Sequence, residues 1–200
     1  MHFLYAPDQA LHQEQEALRL AQELAHPYTL ICALHFIAWL HQFRREGQAT
    51  QAQVEAAMPI LREHGFVQLL AQEQILRGWT LAAQRQGEAG IAQMREGLAT
   101  WEVLGVALYR AYQLVQLAEV YSTVGQAEAG LRVLAEARVA VPHRERRFFE
   151  AELLRLEGEL LLVRSPDNHA EAESCFHQAL EVARRQQGKS LELRAAMSLS

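Results

Sequence analysis

Cysteine is nearly absent from this 200-residue sequence: only Cys32 and Cys175 occur, far apart and in no CxxC pair. That excludes a disulfide framework and fits a reducing compartment. An excess of basic residues is also missing. Lys and Arg number 19 against 24 Asp and Glu, a formal net charge of -5, which excludes a nucleic-acid surface driven by bulk charge. No run approaches the roughly 18 apolar residues that a membrane span needs; the longest, 28–40, is interrupted by His35. The start, MHFLYAPDQA, has no basic n-region followed by a long apolar stretch, so it does not read as a signal peptide. The chain is expected to be soluble and cytoplasmic, with neither nucleic acid nor membrane as a partner.

Reaction motifs are missing as well. There is no G-x-x-x-x-G-K-[ST], no G-x-S-x-G and no H-E-x-x-H, and Gly87, Gly90 and Gly97 lack the strand, loop and lysine of a phosphate cradle. They read instead as packing and turn glycines. Cys175 and His177 are two apart and point to different sides of a helix, which speaks against a metal site with His169. The acid pairs Glu150/Glu152 and Glu157/Glu159 read as a solvated helix face. HRERR at 143–147 reads as positive charge complementing a helix C-terminus, with anion or nucleic-acid contact as the alternative. No catalytic residue, cofactor or metal is expected.

What is present is a repeat. Small residues recur every 40 positions at Ala38, Gly78, Ala118 and Gly158, and again at Thr50, Gly90 and Gly130, with Ala172 two residues late. A third series runs Ala17, Ala57, Gly97, Ala137 and Ala179, with Ala10 as the position matching Thr50. Antiparallel helices approach closely only where their crossing points carry small side chains. Large residues stand between these at helical spacing, as at Leu114, Leu117 and Tyr121, and at Leu131 and Leu134 on the partner helix.

The expected fold is therefore all-α: a right-handed α-α superhelical solenoid of about four antiparallel helix pairs, forming a single domain over 1–200. An unpaired second helix covers 8–25, with Asp8 as its N-cap and Pro27 limiting its far end. Repeats follow at 28–64, 66–105, 106–147 and 148–188, and 189–200 begins a further one. Pro59 predicts a kink or early break. Turns are expected at Gln86-Gly87 and Val124-Gly125, a helix end near Val141-Pro142, and a C-cap at Gly188. Half-units at both ends predict a fragment of a longer array, or self-association through those ends.

The spacing of small and aromatic positions resembles the tetratricopeptide repeat, best in Leu114, Leu117, Ala118, Tyr121, Gly130, Leu134, Ala137 and Pro142. Gly78, Leu81, Gly90, Met94 and Gly97 carry the same likeness in the preceding unit. The usual period is about 34, so the extra residues lengthen the helices by roughly 9 Å in total. More narrowly, HPYTLICALHFIAWLHQFRRE, ILRGWTLA, GIAQMREGLATW, EAELLRLEGELLL and AEAESCFHQALEVARRQQGKSLELRAAMSLS resemble a family of bacterial proteins. These join a class III adenylate or guanylate cyclase domain, an AAA-type ATPase domain and a tetratricopeptide array, and the likeness is to their C-terminal region. That resemblance implies a regulatory or interaction segment of a signalling protein, whose nucleotide chemistry belongs to other domains.

In tetratricopeptide arrays the residue after the small position of each first helix faces the concave surface. Here those residues are Trp39, Trp79, Glu119 and Glu159. Four earlier stand His35, Ile75, Val115 and Arg155, and three earlier again Cys32, Gln72, Tyr112 and Glu152. The expected partner-binding set is His35, Trp39, Gln72, Ile75, Trp79, Tyr112, Glu119, Arg155 and Glu159, presented to a protein or peptide, or to another domain of a parent chain. Packing of both tryptophans between first helices is the competing reading. A small-molecule-sensing helical domain is the alternative function, and an enzyme the distant one.

Overall fold

The computed structural model describes residues 7–105, 109–140 and 149–199. Among them lie ten α-helices, one short 3-10 turn and no strand. These are α1 (Pro7–Leu24), α2 (Pro27–Phe43), α3 (Gly47–His64), α4 (Val67–Ala83), α5 (Gly87–Val103), α6 (Arg110–Thr123), α7 (Ala127–Val139), α8 (Glu150–Arg164), α9 (His169–Arg185) and α10 (Lys189–Ser198). The chain divides into two compact units, 1–106 with α1 to α5 and 107–200 with α6 to α10. Within each unit consecutive helices pack on one another, and first helices also touch across pairs, α2 on α4, α6 on α8 and α8 on α10.

The short connections share one device. Left-handed backbone occurs at Ala25, Arg45, Gly65, Arg85, Gly105 and Gly125, one residue in every 20. At three of them the following amide reaches back to close the helix: Glu46 N–H donates to His41 C=O, Gln86 to Leu81 and Gln126 to Tyr121, at 2.9–3.0 Å. The residue before donates in turn to Gln42, Ala82 and Ser122. This double bond is the Schellman closure, which satisfies carbonyls that the helix leaves open.

The small-residue series occupies the helix contacts. Gly78 and Gly90 face each other across α4 and α5: a Cβ on Gly78 would lie 2.6 Å from the Gly90 carbonyl, and one on Gly90 would strike the carbonyl of Gly78. Ala38, Thr50, Ala57, Ala118, Ala137, Ala172 and Ala179 are all fully buried. Ala17 is the exception and is exposed, because the helices that cover its counterparts are their own first helices and α1 has none among the described residues. Ala10 and Ala21 carry its packing on α2 instead.

In the first unit the core joins α2, α3 and α4 through Ile31, Leu34, Ala38, Val54, Ala57, Met58, Leu61 and Leu76. Trp101 of α5 is fully buried, and its indole N–H donates to the Gln68 carbonyl at 3.2 Å. In the second unit Leu161, Ala172, Cys175 and Phe176 form a core between α8 and α9.

Several local expectations change. Helix α1 starts at Pro7, so Asp8 sits inside the first turn rather than ahead of it. Pro59 does not break α3, which runs through to His64; Pro59 and Glu55 are both exposed, so water can serve the carbonyl that the missing N–H leaves open. Gly87 is the first residue of α5, and Arg85 takes the left-handed turn position. Gly188 caps the start of α10 instead of the end of α9, and Gln187 is the left-handed residue there. The helix end at Val141-Pro142 and the cluster 143–147 lie outside the described residues.

Candidate functional site

Helix α2 is apolar nearly all round: PYTLICALHFIAWLHQF holds no acidic residue and no Lys or Arg. Pro27 sits in its first turn, and the ring of His26 accepts a hydrogen bond from the amide of Thr29. A helix of this composition is ordinarily covered on every side, yet one face of α2 stays open. Tyr28 is 50% and Phe36 43% exposed, with Cys32 and Trp39 half-buried between and beyond them. The spacing 28, 32, 36, 39 places all four on one face. Phe36 and Trp39 lie 6.3 Å apart between ring centroids, and Tyr28 meets Phe66 edge-on at 5.6 Å. Burial pushes the Cys32 thiol up, against a weaker opposing hydrogen bond from Tyr28, so this cysteine is not an activated nucleophile.

Beneath this face lies a buried polar pair. His35 Nδ1 is 2.7 Å from Glu73 Oε1, tying α2 to α4. An ionised carboxylate only accepts, so with Glu73 charged the shared proton belongs to Nδ1. The His35 ring is flanked by Phe36 at 5.6 Å and Trp39 at 5.8 Å. Glu73 is completely buried, and its second oxygen, Oε2, has no hydrogen-bond partner; the same holds for Gln72 Oε1. Unsatisfied buried acceptors of this kind cost about 1–3 kcal/mol each.

The second unit carries a charged network on α8. Arg155 donates to both oxygens of Glu152, at 2.7 and 3.0 Å, and pairs with Glu159 one turn on. Helix α10 joins it through Arg194, 3.4 Å from Glu152, and Ser198, whose hydroxyl lies 3.2 Å from Glu159. Burial alone would lower the Arg155 pKa, but Glu152 and Glu159 outweigh it and hold the guanidinium firmly charged. On α6, Gln113 and Gln116 are buried, with Oε1 of one and Nε2 of the other lacking a hydrogen-bond partner.

The nine residues expected to line a groove thus fall into two classes. His35, Gln72, Ile75, Trp79 and Arg155 are buried, while Trp39, Tyr112, Glu119 and Glu159 are half-buried. The structure brings His35 against Trp39, and Arg155 against Glu159; Gln72, Ile75 and Trp79 lie along α4 within the first unit. Sequence reasoning missed Glu73, Tyr28 and Phe36. Glu73 was findable, since its equivalents one period away, Ala33 and Gln113, are uncharged and a carboxylate there needs a partner.

Among the described residues no cluster of three or more His, Cys, Asp or Glu could hold a metal ion. His169 and His177 are exposed, whereas Cys175 is buried. No described helix is long and apolar enough to cross a membrane. No protein-family model matches the chain, and no curated protein matches it.

Proposed function

We propose that this chain is a non-catalytic interaction module built of tetratricopeptide-like helix pairs, and that the aromatic face of α2 is the surface it offers to a protein or peptide. The observation that carries this reading is Tyr28 and Phe36, standing half in solvent beside Trp39 on a helix otherwise apolar all round. Rigid aromatic side chains in a row are what peptide anchors require, because they bury much area at little conformational cost. A regulatory role in a cytoplasmic bacterial signalling protein, with another domain of a parent chain as the partner, is the form of this proposal that the cyclase-ATPase resemblance suggests.

Selection from a displayed random-peptide library tests it. Enriched peptides should bind the wild-type chain and lose at least about tenfold in affinity, roughly 1.4 kcal/mol, when Tyr28 and Phe36 are both changed to Ala. Recovery of no peptide, or binding indifferent to both substitutions, would count against the reading.

One observation favours a second reading, the sensing of a small molecule. Glu73 Oε2 is a completely buried acceptor lacking a partner, on the carboxylate that meets His35, and a ligand bringing a donor to it would satisfy it. A thermal-shift screen of amines and other small donors is the discriminating measurement. A hit that Glu73→Gln abolishes would support sensing.

A further inference from the structure

The repeat supplies an internal control for buried charge. The positions that match Glu73, at intervals of 40, are Ala33, Gln113 and Leu153, all buried and all uncharged. The packing of a first helix at that place therefore requires no carboxylate. Ile75 and Val115, both buried, fill the place that His35 takes on α2. The other buried carboxylate among the described residues, Glu152, shows how this chain completes such a group: Arg155 donates to both of its oxygens, at 2.7 and 3.0 Å.

Glu73 is only half completed. Its Oε1 meets His35 Nδ1 at 2.7 Å, Oε2 has no hydrogen-bond partner, and no Lys or Arg among the described residues pairs with either oxygen. Arg77, one turn further along α4, is exposed. With His35 neutral and Glu73 ionised, the pair buries one uncompensated negative charge; with His35 protonated, the charges balance but Oε2 still lacks a donor. A water molecule would bring the hydrogen bond without the charge, whereas a cationic donor brings both. The planar fork of a guanidinium matches two free oxygens, and Glu73 offers one. An ammonium group, a compact charge with three donors, fits a single free oxygen. The rings of Phe36 and Trp39, centred 5.6 and 5.8 Å from that of His35, add aromatic surface of the kind that attracts such a cation.

We infer that Glu73 Oε2 is the receptor for a primary alkylammonium group, carried by a small amine or by the lysine side chain of a peptide. The inference rests on the small-molecule reading of the same carboxylate and narrows it to one ligand chemistry. Glu73 supplies the charge and the free acceptor, and His35 holds the carboxylate in place from α2. A bound ammonium completes the polar contact between α2 and α4 and stabilises the folded chain by mass action.

Titration of the 200-residue chain with n-pentylamine, with n-pentanol and with a blocked peptide carrying one central lysine provides the test, at fixed pH and ionic strength. The amine should raise the melting temperature saturably and shift the side-chain carboxyl carbon resonance of Glu73. The alcohol, of equal chain length, should bind at least about tenfold more weakly. Glu73→Gln keeps the shape and removes the charge, and should lose at least about tenfold in amine affinity; the carboxyl resonance of the wild-type chain gives the same answer should that variant fail to fold. A carboxyl response to pentylamine alone assigns the site to free amines, and a response to the peptide assigns it to a lysine side chain; either supports the inference. Equal binding of amine and alcohol overturns it and leaves the sensing reading standing. Amine binding that leaves the Glu73 carboxyl unmoved, or that survives Glu73→Gln, overturns it as well. No response to amine or peptide also overturns it, and the neutral donors then decide the sensing reading separately.

Discussion

At the scale of single residues, the turns concentrate the strain. Arg45, Arg85 and Gly125 hold the same left-handed backbone position at intervals of 40, and only the third is glycine. A side chain there brings Cβ against the following carbonyl, whereas glycine avoids the clash at an entropic cost to the folded state. Arg85 is exposed, so removing its side chain forfeits little packing. Arg85→Gly should stabilise the chain by about 0.5–1 kcal/mol, and the reverse change, Gly125→Arg, should destabilise it by about 1 kcal/mol. Denaturant midpoints of the two variants, compared with the wild type at unchanged slope, provide the measurement. The turns also account for two sequence expectations that landed on the wrong residue. Gly87 and Gly188 look like turn glycines because glycine favours left-handed backbone, but at these sites the preceding helix closes through Arg85 and Gln187. Composition marks where a turn is; the hydrogen bonds from Gln86 and Gly188 back into the helix decide which residue bends.

At the scale of elements, first helices hold more than one kind of surface. Trp39 and Trp79 occupy equivalent positions on α2 and α4, yet Trp39 is half-buried on an open aromatic face and Trp79 is only 5% exposed. Their sequence environments do not separate them, since each follows a small residue at the helix crossing. Trp79→Ala should therefore cost about 3–5 kcal/mol through the cavity it leaves. Phe36→Ala, at a position nearly half in solvent, should cost under about 1 kcal/mol. Thermal or urea unfolding of both variants distinguishes packing from presentation, and a Trp79→Ala protein as stable as the wild type would remove Trp79 from the core. The charged network on α8 is an element-scale feature of a different type. Arg155 is aligned with His35, and both are polar side chains placed where a first helix meets the next. A histidine with one carboxylate on α4 and an arginine with two carboxylates on its own helix are different solutions to the same requirement that buried polar groups be paired.

For the whole molecule, neighbours are the controlling quantity. Within each unit a helix packs on those adjacent in sequence, with an added contact between successive first helices, so stability is built locally and α1 and α10 have support from one side only. Amide hydrogen exchange on a dilute sample should be fastest, among the helices, in α1 and α10, and slowest in α4, α5, α8 and α9. Equal protection of the outermost and inner helices in the dilute sample would contradict local stability. The same local logic made the architecture legible. A fixed 40-residue spacing of small residues predicts helix crossings, and all members of those series are buried apart from Ala17. That exception arises because burial depends on whether a covering helix exists, which a spacing cannot report.

The sequence by itself determined the all-helical class, the period and the positions of the crossing residues. These follow from helical repeat, side-chain size and turn chemistry, all of which act over a few neighbouring residues. Only the tertiary structure decided which of the expected groove residues face outward. His35 and Glu73 lie 38 positions apart and meet because α2 and α4 stack side by side. Once they meet, that contact turns His35 inward while Tyr28 and Phe36 remain at the surface. The physical reason is that a face of a helix is defined by sequence, but its exposure is defined by the neighbours packed against it.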